Sequence, residues 1–289
     1  MRPRVAAEQT PFVPRVLLLI VTGLVGGLLS GVFGVGGGIL MVPLLTLWVG
    51  LDQRRAVATS LAAIVLSSTA GSISYLLRGA IDVPAAVALA AGSVVGVLIG
   101  TALLRRLPIV VLRWAFIALL VGVAIRLLFP VTASAGPVPL SFWPIVGLVV
   151  LGVAVGIASG LFGIGGGVLI VPSLVLLFGV GELIAKGTSL LVIIPTGVVG
   201  TARNLRAGLV DLGTVLAVGL PAIAASVAGS AVAFVLPASL SSVLFAVLLL
   251  AVSAQLAWRI LRPRRAAETV PAVADGVADD VSGPSSPRR

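Results

Sequence analysis

The chain has 289 residues, of which 59% are hydrophobic and 10% are charged, and its formal net charge is +10. No soluble domain of this length buries so much apolar surface, so the composition excludes a soluble protein and indicates an integral membrane protein. The sequence has no cysteine and no histidine, which excludes disulfide bonds, thiol chemistry and histidine-based metal or acid–base sites.

Eight apolar segments follow one another along the chain, and the first and fifth are longer than the others. They comprise residues 16–49, 56–77, 83–104, 110–129, 142–180, 187–202, 212–235 and 240–260. An apolar stretch of about 20 residues crosses a bilayer as an α-helix. We therefore predict an all-α fold, namely a polytopic helical bundle embedded in the membrane.

The first apolar segment contains a glycine run that ends in proline. The phrase from Ser30 to Pro43 reads SGVFGVGGGILMVP. Inside a helix, glycine costs about 1 kcal/mol and proline about 3 kcal/mol relative to alanine. Residues 16–49 as one helix would also measure about 51 Å, which exceeds a bilayer core of about 30 Å. We predict a hairpin that breaks at the glycines, with a returning piece that is either a full span or re-entrant.

The same phrase recurs in the fifth apolar segment, 129 positions later. Residues 159–172 read SGLFGIGGGVLIVP, and ten of the fourteen positions are identical to those of the first phrase. The two halves align without a gap from residues 30–108 onto residues 159–237. This register indicates two homologous repeats, each with a first segment that is broken by glycine.

The distribution of basic residues predicts that the two repeats are inverted. With hairpins, each half crosses the membrane an odd number of times. Fourteen basic residues then share the side of the termini, and Arg78, Arg126 and Lys186 lie on the other side. Single crossings would divide the basic residues about eleven to six. Because cytoplasmic loops are rich in arginine and lysine, we place both termini in the cytoplasm.

These predictions divide the chain into five parts. We expect a cytoplasmic N-terminal segment (1–15), membrane repeat 1 (16–129), an external linker (130–141), membrane repeat 2 (142–262) and a disordered cytoplasmic tail (263–289). The first apolar run is too long for a signal peptide, so we interpret it as an uncleaved membrane segment. We expect a multi-pass protein of the cell (plasma) membrane.

The two glycine breaks are the predicted substrate site. Matched breaks in the two halves of a transporter indicate where the substrate binds. Helices that restart after the glycines direct free N–H groups and positive dipole ends at the break, which suits an anion. The predicted substrate-binding residues are Gly34, Gly36, Gly37, Gly38, Gly163, Gly165, Gly166, Gly167, Ser30, Ser159, Thr59, Ser60, Thr188 and Ser189.

Several polar or small residues also have structural interpretations. The glycine runs could also serve close helix packing, although three glycines in succession exceed what packing needs. Serine and threonine hydroxyls often bond to their own helix, which is the structural alternative for Thr59–Ser60 and Thr188–Ser189. Lys186 would either guide an anion towards the site or extend to the membrane surface. For a second set of glycines we predict packing; these are Gly92, Gly96, Gly100, Gly152, Gly156 and Gly160.

The doubled phrase, with a Thr-Ser pair about two dozen residues after each copy, resembles the sulfite exporter TauE/SafE family. The resemblance covers about residues 16–260 and includes both halves. It implies a plasma-membrane permease or exporter for sulfite, sulfoacetate or a related sulfur-containing or organic anion. It does not select one of these anions.

We therefore predict a secondary transporter of small anions, with a passive anion channel as the alternative. A membrane enzyme is disfavoured, because acid–base and nucleophilic catalysis need residues that the apolar segments lack. A purely structural subunit does not explain two costly breaks. The expected partners are a small anionic substrate and the lipid bilayer, with a homo-oligomer left open. We predict no catalytic residue, metal ion, cofactor or nucleic acid.

Overall fold

The computed structural model describes residues 12–127, 138 and 141–261, and these ranges contain helices and no strand. The helices are α1 (Phe12–Phe33), α2 (Gly38–Leu47), α3 (Gln53–Leu76), α4 (Val83–Arg106), α5 (Ile109–Leu127), α6 (Phe142–Phe162), α7 (Gly167–Phe178), α8 (Glu182–Arg206), α9 (Leu212–Val235) and α10 (Ala238–Leu261). Most of the predicted N-terminal segment and linker, and the whole predicted tail, lie outside the described residues.

Seven of the described helices are long and apolar enough to cross a membrane, namely α1, α3, α4, α6, α8, α9 and α10. The fold is thus a polytopic α-helical membrane bundle, as predicted. The helices that follow the glycine breaks are shorter. With 10 and 12 residues, α2 and α7 measure about 15 and 18 Å, or roughly half the bilayer core. The inverted orientation of the repeats stays a prediction.

Helices of one half pack mainly against helices of the other. The two most extensive contacts join α1 to α9 and α4 to α6. Glycines permit this approach: a Cβ atom on Gly96 of α4 would meet the carbonyl oxygen of Val153, and one on Gly152 of α6 would meet that of Leu89. The predicted packing role of this second set of glycines is confirmed.

Two stacked phenylalanine pairs also join the halves. Phe33, at the end of α1, stacks on Phe245 of α10 with ring centroids 4.9 Å apart. Phe162, at the end of α6, stacks on Phe116 of α5 at 5.2 Å. Both pairs obey the 129-residue offset, so each glycine break follows a phenylalanine that is held by the last helix of the other half.

Aspartate residues cap the N-termini of α4 and α9. The Asp82 carboxylate accepts hydrogen bonds from the N–H groups of Ala85, at 3.0 Å, and of Val138, at 2.8 Å. Asp82 thereby ties the connector between the halves to the start of α4. Hydrogen bonds from the Thr214 hydroxyl and N–H hold the pKa of Asp211 below its ordinary value, so this carboxylate caps α9 in its charged form at neutral pH.

The contact between α4 and α6 predicts the effect of enlarging a glycine. We expect Gly96→Leu to destabilise the protein by roughly 2 kcal/mol or more, because the new side chain meets backbone atoms that cannot move aside. Gly122→Leu is the matched control, since open space surrounds the equivalent Cβ position on α5. Thermal unfolding in detergent measures both variants. Equal melting temperatures for the two would contradict this packing role.

Candidate functional site

The glycine breaks adopt a backbone conformation that other residues rarely reach. Between α1 and α2, the φ angles of Gly34, Gly36 and Gly37 are 69°, 82° and 78°. The corresponding angles in the second break are 70°, 75° and 85°, at Gly163, Gly165 and Gly166. These values lie in the left-handed region, which only glycine enters at no steric cost.

The chain folds back after each break. A Cβ atom on Gly37 would meet the carbonyl oxygen of Gly26, which lies in the middle of α1. A Cβ atom on Gly166 would meet the side chain of Val155 in α6. Each short helix therefore returns alongside the helix that it follows, and both breaks remain inside the protein.

The two breaks contact each other. A Cβ atom on Gly38 would meet the carbonyl oxygen of Gly163 and would lie 2.6 Å from the Cα atom of Ile164. A Cβ atom on Gly167 would lie 2.5 Å from the Cα atom of Val35 and 2.7 Å from the Gly34 carbonyl oxygen. The start of α2 thus touches the end of α6, and the start of α7 touches the end of α1. The two breaks therefore meet inside the protein.

Helix N-termini point their first N–H groups into this contact. The N–H groups of Leu40 and Met41 donate to the Gly37 carbonyl, and Gly166 accepts the equivalent pair of bonds at the start of α7. The N–H groups that precede these positions have no partner within their own helices. Together with the helix dipole, they place a partial positive charge at the starts of α2 and α7.

Serine hydroxyls surround the breaks, and they differ in their hydrogen bonding. The Ser60 hydroxyl donates to the Gly163 carbonyl oxygen at 2.9 Å. The hydroxyls of Ser30, Ser159 and Ser189 are buried and have no hydrogen-bond partner. A buried polar group without a partner costs about 1–3 kcal/mol. Ser30 and Ser159, one turn before the breaks, therefore offer free donors close to them, and Ser189 occupies the position on α8 that Ser60 occupies on α3.

One further serine was missed by the sequence analysis. The Ser68 hydroxyl is also buried without a partner, and it lies 3.5 Å from the position that a Cβ atom on Gly36 would take. The residue 129 positions later is Gly197, so comparison of the repeats drew no attention to Ser68. The only sequence feature that could have identified Ser68 is its position, as a polar residue in the middle of the long helix α3.

The two threonines are buried, but one of them is engaged elsewhere. The Thr188 hydroxyl accepts a hydrogen bond from the Asp82 N–H at 2.9 Å, at the start of α4. This bond ties Thr188 to the loop between α3 and α4. Thr59 is 2% exposed in α3.

Lys186 does not extend to the membrane surface. It is 2% exposed, and its Cα atom lies 2.6 Å from the position that a Cβ atom on Gly34 would occupy. Its ammonium group forms an ion pair with Glu182 at 2.7 Å and donates to the Ser241 hydroxyl at 2.8 Å. The predicted segment 187–202 had excluded Glu182, but α8 begins there, so both charged residues lie in its first turns.

Comparisons with known proteins agree with this architecture. The family model described as "Sulfite exporter TauE/SafE" matches residues 1–127 and 148–282. The probable membrane transporter protein YdhB of Bacillus subtilis is 30% identical over 200 residues, which cover 68% of this chain and 81% of that protein. The probable membrane transporter protein YunE, also of Bacillus subtilis, is 27% identical over 219 residues, or 68% and 80% of the two chains.

A plant protein is similar over a shorter range. The sulfite exporter TauE/SafE family protein 1 of Arabidopsis thaliana is 33% identical over 111 residues, which cover 38% of this chain and 24% of that protein. No solved structure matches.

The unequal hydrogen bonding of Ser60 and Ser189 predicts unequal effects on stability. We expect Ser60→Ala to cost about 1–2 kcal/mol, because it leaves the buried Gly163 carbonyl unpaired. Ser189→Ala, at the equivalent position of the other half, should cost little, because its hydroxyl has no partner to lose. Thermal unfolding in detergent, without added anion, compares them. A larger loss for Ser189→Ala would contradict the hydrogen-bonding pattern.

Proposed function

The chain belongs to the sulfite exporter TauE/SafE family of membrane transporters, and from this premise we propose that it is a secondary transporter of small anions. The proposed substrates are sulfite, sulfoacetate and related sulfur-containing or organic anions, bound where the two glycine breaks meet. Names of relatives support the transport of a solute rather than catalysis, and one of them refers to sulfite export. As a multi-pass membrane protein, the chain contacts lipid.

The single observation that carries this proposal is the contact between the breaks. Gly38 touches the second break and Gly167 touches the first, so the N-termini of α2 and α7 converge. Free N–H groups and hydroxyls are hydrogen-bond donors, and an oxyanion presents only acceptors to them. In a buried site of low dielectric, each such bond is stronger than in water. The unpartnered hydroxyls of Ser30, Ser159 and Ser189 add donors to this site.

Helix packing supports a route for the anion. Helices α1, α3 and α9 pack together, and so do α4, α6 and α8; the two groups meet where α3 contacts α8. We propose that they rock against each other about the breaks and so expose the site to each side of the membrane in turn. The proposed location is the plasma membrane, with both termini in the cytoplasm.

Flux measurements test the transport proposal directly. We expect purified protein in liposomes to take up radiolabelled sulfite or sulfoacetate with saturation, and unlabelled anion on the opposite side should accelerate the uptake. Such exchange requires a site that is exposed alternately to the two sides. Uptake without saturation or exchange would indicate an anion channel. No uptake of any sulfur anion by protein with an intact thermal transition would contradict the proposal.

The free hydroxyls predict which serines contribute to binding. We expect Ser189→Ala to weaken the binding of sulfoacetate about tenfold, which corresponds to one hydrogen bond to a charged ligand. Ser67→Ala is the matched control, because that buried hydroxyl already donates to the Ile64 carbonyl at 3.2 Å in its own helix. Anion-dependent thermal stabilisation measures both affinities. Equal affinities for the two variants would remove Ser189 from the site.

A further inference from the structure

The two breaks contact equivalent positions of the neighbouring helices, but the side chains at those positions differ. A Cβ atom on Gly34 would lie 2.6 Å from the Cα atom of Lys186, and one on Gly163 would lie 2.8 Å from the Cα atom of Val57. Lys186 and Val57 are separated by the same 129 positions that relate the two glycine phrases. The first break therefore carries a cation at the place where the second carries an apolar side chain.

The neighbours of these two residues extend the comparison. Lys186 donates to Ser241 of α10, and one turn later Phe245 stacks on Phe33, which precedes the first break. At the second break the residue equivalent to Ser241 is Leu112, which is 2% exposed. One turn later on α5, Phe116 stacks on Phe162. The polar trio Glu182, Lys186 and Ser241 thus corresponds to Gln53, Val57 and Leu112.

Packing alone does not require the charged trio. Val57 and Leu112 fill the equivalent space and are buried. Replacement of a buried ion pair by apolar residues is often neutral or stabilising, whereas an unpaired buried charge is costly. Ionisable residues inside membrane spans mark the paths of substrates and protons. Among the side chains that the structure describes, Lys186 is the only buried cation.

We propose that Lys186 is the counter-ion of the transported anion and that the Glu182 carboxylate is a competitor which the anion displaces. This inference rests on the proposed function and assigns the charge to the first break. Ser189, one turn after Lys186 on α8, has a buried hydroxyl without a partner, whereas its equivalent Ser60 is bonded. The ammonium group and this hydroxyl lie on the same helix, and each can donate to an oxygen of a substrate that carries a sulfonate or a sulfite group.

Displacement of Glu182 leaves the ammonium group of Lys186 paired throughout, because the anion takes the place of the carboxylate beside it. The buried cation is therefore never left without a partner, which is the costly condition. The Asp82 carboxylate at the start of α4 does not compete, because the N–H groups of Ala85 and Val138 occupy it.

Three variants and one probe test this inference. Sulfoacetate is the probe, because its sulfonate and carboxylate groups are both ionised at about pH 7. Glu182→Gln removes the competing carboxylate, so we expect it to bind sulfoacetate at least tenfold more tightly than the wild type. Lys186→Val, which installs the residue found at the other break, should bind at least tenfold more weakly.

Gln53→Glu is the matched control. It places a carboxylate at the position equivalent to Glu182, where Val57 offers no ammonium group. We expect its affinity for sulfoacetate to match that of the wild type. Thermal unfolding without anion establishes that each variant is folded, and if Lys186→Val does not fold, the affinity of Glu182→Gln decides.

The outcomes separate this inference from the proposed function. A folded wild-type protein that binds no sulfur anion at any pH overturns both. A wild-type protein that binds, with Lys186→Val binding equally well, overturns only the role of Lys186. An affinity of Glu182→Gln that does not exceed that of the wild type overturns the competition between Glu182 and the anion.

Discussion

Hydrocarbon cannot hydrogen-bond to an exposed backbone, and this constraint governs the whole structure. A broken helix survives at membrane depth only where protein surrounds it. Each glycine break supplies that cover for the other, because Gly38 lies against Gly163 and Gly167 lies against Gly34. The contact leaves no room for a Cβ atom at these positions. Glycine is therefore required for two reasons: the left-handed backbone within each break, and the close contact between the two breaks.

The same constraint explains why the two halves are interlocked. A break at the end of α1 is shielded by residues of α6 and α8, and the break at the end of α6 is shielded by α1 and α3. Packing of α1 on α9 and of α4 on α6 holds these helices in place. The stacked pairs Phe33–Phe245 and Phe162–Phe116 fix the last residue before each break. The helix packing and the stacked aromatic pairs therefore hold both glycine breaks in place.

Local signals made the helices and the breaks predictable. Hydropathy defined most spans to within a few residues, and the glycine runs marked the ends of α1 and α6 because the backbone preference of glycine is local. The prolines gave no such mark, since Pro43 and Pro172 lie inside α2 and α7. Contacts between distant segments were not predictable in this way. The burial of Lys186, the start of α8 at Glu182 and the bond from Asp82 to Thr188 all depend on side chains that meet only in the fold. Ser60 and Ser189 are also equivalent in the alignment of the repeats, although only the Ser60 hydroxyl has a hydrogen-bond partner.

The packing of each half against the other also affects how the protein is inserted into the membrane. The ribosome delivers α1 to the membrane long before α9, and α4 before α6. Until those partners arrive, the glycine-lined faces of α1 and α4 meet lipid, and the first break lacks the residues of α6 that cover it. Neither half is a complete folding unit. The nascent chain therefore has to hold an unfinished first half in the bilayer until the second has been inserted beside it.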